Sequence, residues 1–251
     1  MSDEKIFDRL DRLMNERDFV SGIHNYCDRW CERCLFTSKC MVYAMEEEEQ
    51  REAERAGKTE TDPFAYVHQV FQEVSEKLRQ WADEQGIDLN AEPDEDVKIA
   101  EVKRKSGASD FVSIESEAYG KWLMNWLKVN HTETETIKME LGNTDTHALA
   151  AFTDALEVLG WYMFFPAAKF RRASSDPYED SDTGHADRNG SAKVAIIAVE
   201  RTMAALAVVL RYMPSHEDEM LDVLIRLDRI RKQALLDYPE AMAFKRPGLD
   251  D

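Results

Sequence analysis

The amino-acid sequence predicts an all-α protein: a multi-helix bundle with a cysteine-rich metal-binding segment near its N-terminus. Apolar residues recur at helical spacing in one stretch after another, and the alternation typical of β-strands is almost absent. No internal repeat at a fixed period is present. The metal-binding segment is predicted by the cysteines, since all four in the 251-residue chain lie within 14 residues.

Two amphipathic helices and one charged helix are predicted in the first third of the chain. The opening residues place Ile6, Leu10, Leu13 and Met14 at helical spacing. The run EEEEQREAER, within residues 41–55, predicts a helix with a solvated acidic face. Asp62-Pro63 then begins a helix whose apolar stripe extends from Val67 to Trp81, and Gly86 ends it.

The remainder of the chain reads as helices joined by polar connections. We expect a connection at 87–109, with a weak strand signal near 97–102, then a helix at 111–130 and a polar link at 131–146. A helix at 147–172, kinked by Pro166, is followed by a flexible acidic loop at about 173–190. The last two helices are predicted at 192–213, capped by Ser191, and from Pro214 to Tyr238.

This pattern suggests two regions. Residues 1–60 hold the N-terminal helix and the four-cysteine segment, and residues 61–251 form the helical bundle with its acidic loop. We expect the two regions to pack as one domain, because a chain of this length buries a sizeable core.

The four cysteines form the pattern Cys27-x3-Cys31-x2-Cys34-x5-Cys40. Thiolates are soft ligands, and four of them close in sequence can hold either a structural zinc ion or a four-iron cluster. Zinc sites usually pair two Cys-x2-Cys turns across a longer loop, which is missing here. If the segment is helical, Cys27, Cys31 and Cys34 share one face. We therefore favour a [4Fe-4S] cluster, with zinc as the alternative.

Two known iron–sulfur segments share parts of this spacing. The segment Cys31-x2-Cys34-x5-Cys40 is similar to the one that binds a four-iron cluster in AddB and the RecB-like CRISPR exonucleases, although their fourth cysteine lies far upstream. The first three cysteines share the Cys-x3-Cys-x2-Cys spacing of radical SAM enzymes, which need a βα barrel that is not visible in this sequence. The whole chain resembles an uncharacterised group of bacterial helical proteins with an N-terminal four-cysteine motif. The two local resemblances imply iron–sulfur.

Composition restricts the classes of partner. The chain carries 32 Lys and Arg against 50 Asp and Glu, a formal charge of −18. An acidic surface repels phosphate backbones, so we expect neither nucleic-acid nor membrane binding. The chain shows no secretion signal, and its cysteines suit a reducing compartment, so we expect a cytoplasmic protein. A protein partner or an electron donor or acceptor is the expected interaction.

Two sets of carboxylates are weak candidates for a catalytic site. Asp154, Glu157 and Glu200 lie in apolar helices, where they either form salt bridges with Arg171, Arg172 or Arg201 or line a polar pocket. The stretch from Pro93-Asp94 to Glu101-x-Lys103 matches the loose Mg²⁺-binding signature of RecB-like nucleases. Its flanks do not supply the mixed sheet of that fold, so we interpret this second match as chance.

Three functions are compatible with these features. The first is an iron–sulfur protein that acts as a redox, structural or interaction module. The second is an enzyme in which the metal centre is a scaffold and the carboxylates of the bundle act. The third is an interaction protein held together by zinc.

Overall fold

The computed structural model describes residues 6–55, 57, 63–91, 110–175 and 182–250. These residues form α-helices and short 3₁₀ turns and include no strand, so the predicted all-α class is confirmed. The chain divides into two compact units, Met1–His24 with Arg29–Asp94 and Pro247–Asp251, and Asn25–Asp28 with Glu95–Arg246. The division expected near residue 60 stays a prediction.

The first unit contains helices α1 (Ile6–Glu16), α2 (Met41–Arg55) and α3 (Pro63–Gln85). Helix α1 packs against α2, and the small core of this unit includes Leu13, Ile23 and Ala44. The helix predicted from the spacing of Ile6 and Leu13 is therefore present, although Met14 is exposed.

Ion pairs between α1 and α2 correct the prediction of a purely solvated acidic face. Arg9 Nη2 lies 2.7 Å from Glu52 Oε2, and Arg12 Nη2 lies 2.6 Å from Glu48 Oε2. The Arg9 side chain is only 6% exposed. Arginines one turn apart on α1 thus face glutamates one turn apart on α2. The charge run alone could not show this, because the partners are distant in sequence.

Helix α3 begins and ends where predicted, with Gly86 in the left-handed conformation (φ 67°) directly after it. Its apolar stripe, however, does not belong to the core. Five of its six residues are between 45% and 69% exposed: Val67, Phe71, Val74, Leu78 and Trp81; the sixth, Val70, is partly buried. Periodicity therefore predicted the helix correctly, but the stripe faces solvent.

The described part of the second unit contains six further helices: α4 (Phe111–Val129), α5 (His131–Thr144), α6 (Thr146–Tyr162), α7 (Phe165–Ser174), α8 (Asp182–Tyr212) and α9 (Glu217–Asp237). Helix α8 is about 46 Å long and packs against α6, α7 and α9. It is central because small and apolar side chains, among them Ala195, Ile196 and Val199, are buried around much of its circumference.

Two predictions for the second unit, one connection and one helix, are wrong in detail. Residues 131–144 form α5 rather than a polar link, because Ile137 and Leu141 pack against the core on an otherwise polar helix. The predicted kinked helix at 147–172 is two helices, interrupted at Met163 and Phe164. Pro166 lies in the first turn of α7, where its missing N–H costs nothing.

The predicted acidic loop at about 173–190 is also wrong over its second half. Helix α8 begins at Asp182, so residues 182–190 are helical and Ser191 is an interior residue rather than a cap. Contacts from other elements explain the difference. Arg172 pairs with Asp187, and Arg188 lies over the Tyr238 ring at 5.1 Å.

Within the described residues, one stretch has the length and composition to cross a membrane, Thr146–Ser174. It comprises α6 and α7 and contributes Phe152, Leu159 and Phe170 to the buried core of the second unit.

Candidate metal centre

The cysteine segment is not a continuous helix. It consists of short 3₁₀ turns, including Cys31–Arg33 and Thr37–Lys39, and Arg29 adopts the left-handed conformation (φ 60°) between Cys27 and Cys31. The expected shared helical face of Cys27, Cys31 and Cys34 is therefore wrong. A side-chain-bearing residue at positive φ is uncommon and is enriched at functional sites.

The four cysteines are all partly buried, and none forms a disulfide. The backbone N–H of Phe36 donates a hydrogen bond to Cys34 Sγ, with an N···S distance of 3.4 Å. A backbone donor of this kind stabilises negative charge on a sulfur and is a normal feature of thiolate-bound metal centres. Cys40 directly precedes α2, and its carbonyl oxygen accepts the N–H of Ala44 at 3.1 Å. A helix N-terminus also favours negative charge.

The donor set therefore has the chemistry that a four-iron cluster or zinc requires. The positions of the side chains do not add to this argument, because no three His, Cys, Asp or Glu side chains within the described ranges form a group that could hold a metal. The case for a metal in this segment thus depends on the chemistry of four thiols close in sequence and on the backbone around them. Ligand binding commonly completes the folding of such segments.

Charged and aromatic residues lie close to Cys31, Cys34 and Cys40 in the sequence. The Arg33 guanidinium lies 3.9 Å from the centre of the Trp30 ring, and Lys39 pairs with Asp18 at 3.3 Å. Phe36 is 39% exposed, so it gives only partial apolar cover. Both cations are close in sequence to the thiols.

A cleft of about 350 Å³ lies in the first unit beside this segment. Its lining includes Arg17, His24 and Met41, the residue after Cys40. Arg17 pairs with Glu47 at 3.9 Å. The cleft therefore gives solvent an approach to the start of α2, next to Cys40.

Cys27 lies in a four-residue stretch that belongs to the second unit, and its neighbour Asp28 is held there by a cluster of hydrogen bonds. Tyr162 Oη donates to Asp28 Oδ2 at 2.6 Å. Arg201 Nη1 donates to the same carboxylate oxygen at 2.8 Å and to Tyr162 Oη at 2.5 Å. The indole N–H of Trp161 donates to the Asp28 carbonyl oxygen at 2.9 Å. We call Asp28, Tyr162 and Arg201 the Asp28 cluster.

The residues on the other side of Cys27 are held as well. Lys169 Nζ donates to the carbonyl oxygen of Asn25 at 3.1 Å. The Tyr26 ring packs edge-on against Phe244, with ring centres 5.0 Å apart. It also lies so close to Gly190 that a Cβ there would be 2.4 Å from Tyr26 Cδ1. A glycine is therefore needed on α8 where Tyr26 docks.

The Asp28 cluster changes the acid–base properties of its members. Burial, and then the hydrogen bond to Asp28, raise the pKa of Tyr162 to about 12. For Arg201, burial acts to lower the pKa, but hydrogen bonds and charges from Tyr162 and Asp28 outweigh it and raise the pKa above its usual value. Near neutral pH the phenol is thus protonated and the guanidinium charged.

The predicted catalytic carboxylates lie on exposed surfaces. Asp154, Glu157 and Glu200 are all exposed, and Glu200 pairs with Arg231 at 3.5 Å. The expected arginine partners are engaged elsewhere: Arg171 with Glu117, Arg172 with Asp187, and Arg201 with Asp28. The prediction of those partners for Glu200 was therefore wrong. The other weak candidates, Pro93, Asp94, Glu101 and Lys103, lie outside the described residues.

Sequence reasoning missed the Asp28 cluster. Tyr162 and Arg201 lie 134 and 173 positions after Asp28 in the chain. The local signals were Asp28 next to Cys27 and Arg201 in an apolar stretch of helix, and neither identifies its partner.

Comparison of the chain with protein-family models, curated proteins and solved structures finds no significant match. The family resemblances noted above therefore depend only on the sequence features that suggested them.

Proposed function

We propose that Cys27, Cys31, Cys34 and Cys40 ligate one metal centre, a four-iron iron–sulfur cluster, and that the protein acts as a redox or structural module. It would operate with a protein partner or an electron donor or acceptor, in the cytoplasm. When bound, such a cluster supplies one-electron chemistry or a rigid cross-link of the chain.

The observation that carries the proposal is the concentration of every thiol of the chain into residues 27–40, with no disulfide among them. Four reduced cysteines at this density are unusual unless they bind a metal. The N–H of Phe36 donates to Cys34 Sγ, and hydrogen bonds of this kind to cysteine sulfurs are a normal feature of iron–sulfur sites. Zinc sites usually pair two Cys-x2-Cys turns, whereas this segment has one, which favours the cluster over zinc.

The test is to purify the protein without oxygen, record its visible spectrum and measure iron, sulfide and zinc per chain. About four irons and four sulfides, with thiolate-to-iron absorbance that dithionite bleaches reversibly, support a redox cluster. A colourless protein with about one zinc per chain would show that the metal centre is a structural zinc site and not a cluster. A protein with neither metal would refute the proposal.

Cys34→Ser identifies the ligands. We expect it to lose most of the bound metal while the helical content remains, because the second unit has its own core. The matched control is Ser38→Ala, an exposed change in the same segment that removes no thiol. Full metal content in Cys34→Ser would show that these four cysteines are not the ligand set.

The exposed carboxylates Asp154, Glu157 and Glu200 do not support a second function. A catalytic carboxylate usually lies in a concave, partly desolvated site that shifts its pKa. These three are exposed on α6 and α8.

A further inference from the structure

The apolar stripe of α3 remains exposed after α3 has packed against the start of α1. The backbone N–H of Ile6 donates to Glu73 Oε2 at 2.7 Å, and Lys77 Nζ lies 5.5 Å from the centre of the Phe7 ring. These contacts use a neighbouring face of the helix. Phe71, on the stripe itself, is still 69% exposed. Packing within the first unit therefore leaves a large apolar surface in water.

The exposed residues have the spacing of a coiled-coil seam. They recur at alternating intervals of four and three residues: Val67, Phe71, Val74, Leu78 and Trp81. This is the a/d pattern of a heptad repeat, with Phe71 and Leu78 at a and the other three at d. A helix that packs on a globular core normally buries a wider stripe with a period of 3.6 residues. The narrow stripe therefore fits one partner helix.

We propose that the stripe of α3 pairs with the same stripe of a second copy of this chain, in an antiparallel two-helix seam. In an antiparallel pair each a residue faces a d residue of the other helix. One register sets Phe71 opposite Val74 of the second copy, and the same register sets Leu78 opposite Val67. Large and small side chains then face each other, which fills a core without voids. The stripe is thus complementary to itself, as a two-fold interface requires.

A parallel pair would fit less well. It would set Phe71 against Phe71 and Val74 against Val74, so that crowded and loose layers alternate along the seam. Parallel dimers also favour leucine at d, where this stripe has valine and tryptophan.

Charge disfavours a lipid surface as the occupant. Helix α3 carries four acidic and two basic residues, and the whole chain has a formal charge of −18. Helices that lie on membranes combine their apolar face with lysines and arginines, which anionic lipids attract. A seam between two copies has no such requirement, because its contact residues are uncharged.

The area of the stripe is at the lower limit for a stable dimer. A fully exposed aromatic side chain presents about 150–250 Å², so at 45–69% exposure the five residues together present roughly 500 Å². Two copies would bury roughly 1,000 Å², which is the least that a specific interface needs. We therefore expect a Kd on the order of 10 µM, with a monomer and an exposed stripe at lower concentration. This inference goes beyond the proposed function and does not depend on the cysteines.

Sedimentation equilibrium of the full-length protein, between about 1 and 100 µM, measures the association. Phe71→Glu places a carboxylate in the seam twice per dimer, so we expect it to raise the Kd by at least about 100-fold, and Leu78→Glu should do the same. Leu236→Glu is the matched control, because it puts the same charge on a residue of α9 that is 74% exposed and outside the stripe. Circular dichroism verifies that the variants keep the helical content of the parent.

A disulfide experiment identifies the orientation of the two helices. Val67→Cys and Leu78→Cys proteins are mixed and oxidised, and peptide mass spectrometry identifies the linked positions. The antiparallel register predicts a link between the two substituted positions. A link between two copies of Val67→Cys would show a parallel pair and overturn the proposed arrangement.

The outcomes are separate from those for the metal centre. A parent protein that stays monomeric over the whole concentration range overturns the proposal, and the stripe then belongs to a different partner. A dimer that Phe71→Glu and Leu78→Glu weaken no more than Leu236→Glu does also overturns it, since the interface would then lie elsewhere. Metal content is measured independently, so neither result changes the test of the proposed function.

Discussion

Gly120 offers the sharpest test of how the second unit is packed. It lies inside α4, where a Cβ would be 2.5 Å from Phe164 Cδ1 and 2.6 Å from the carbonyl oxygen of Met163. Met163 and Phe164 form the break between α6 and α7, directly after Tyr162. We therefore expect Gly120→Ala to push α4 away from this break.

The size of the effect follows from two opposing contributions. Replacing a helix-interior glycine by alanine stabilises a helix by about 1 kcal/mol, whereas overpacking a tight core costs about 1–3 kcal/mol. The contact with Met163 involves backbone, which cannot rotate away, so the cost lies at the upper end of that range. The net expectation is a loss of about 2 kcal/mol.

Gly160→Ala is the matched control, because that glycine also lies in a helix but a Cβ there would have nothing within 4 Å. It should raise the free energy of unfolding by about 0.5–1 kcal/mol. Urea unfolding followed by circular dichroism measures both variants, and 2 kcal/mol corresponds to a decrease of about 1 M in the midpoint. A Gly120→Ala midpoint at or above that of Gly160→Ala would refute the packing described for α4.

Three further predictions test other parts of the structure by urea unfolding. Arg9→Ala should lower the free energy of unfolding of the first unit by about 1–3 kcal/mol, because it leaves Glu52 without its partner, and a double-mutant cycle with Glu52→Ala measures the coupling. Phe71→Ala should lower the free energy of unfolding by less than about 1 kcal/mol, because Phe71 is 69% exposed, whereas Phe152→Ala should lower it by about 3–5 kcal/mol. Equal decreases would contradict the exposed position of Phe71 on α3. Burial, and then the charge of Asp110, raise the pKa of Tyr238 to about 12 from its ordinary 10.0. The folded state therefore keeps this proton to higher pH than the unfolded state does. The free energy of unfolding consequently falls as the pH rises from 10 towards 12. Tyr238→Phe removes the phenol, so the variant should lose less stability over this pH range than the parent does.

Local sequence signals predicted most helices well. The start of α3 at Pro63 and its stop at Gly86 depend on backbone preferences that act within a few residues. The apolar spacing of α4 and α9 was also sufficient, because both bury one face against the core. Helix α5 was missed because its sequence is mostly polar. Only its contacts with the core of its own unit show that Ile137 and Leu141 are partly buried.

The start of α8 illustrates a different limit. Residues 182–190 contain two glycines and several polar residues, a composition typical of loops. Their helical state depends on partners far along the chain. Gly190 receives Tyr26, and Arg188 lies over the ring of Tyr238.

For the candidate metal centre, the sequence by itself determined which residues are candidate ligands, because a thiol is a potential metal ligand by its chemistry and four of them lie within 14 residues. It did not determine the backbone that carries them, which has 3₁₀ turns and a left-handed Arg29 in place of the expected helix. Only the tertiary structure placed Tyr162 and Arg201, which are 134 and 173 positions from Asp28, on the residue next to Cys27. Hydrogen bonds and charges act through space over a few ångströms, and local periodicity does not record which distant residues the fold brings within that range.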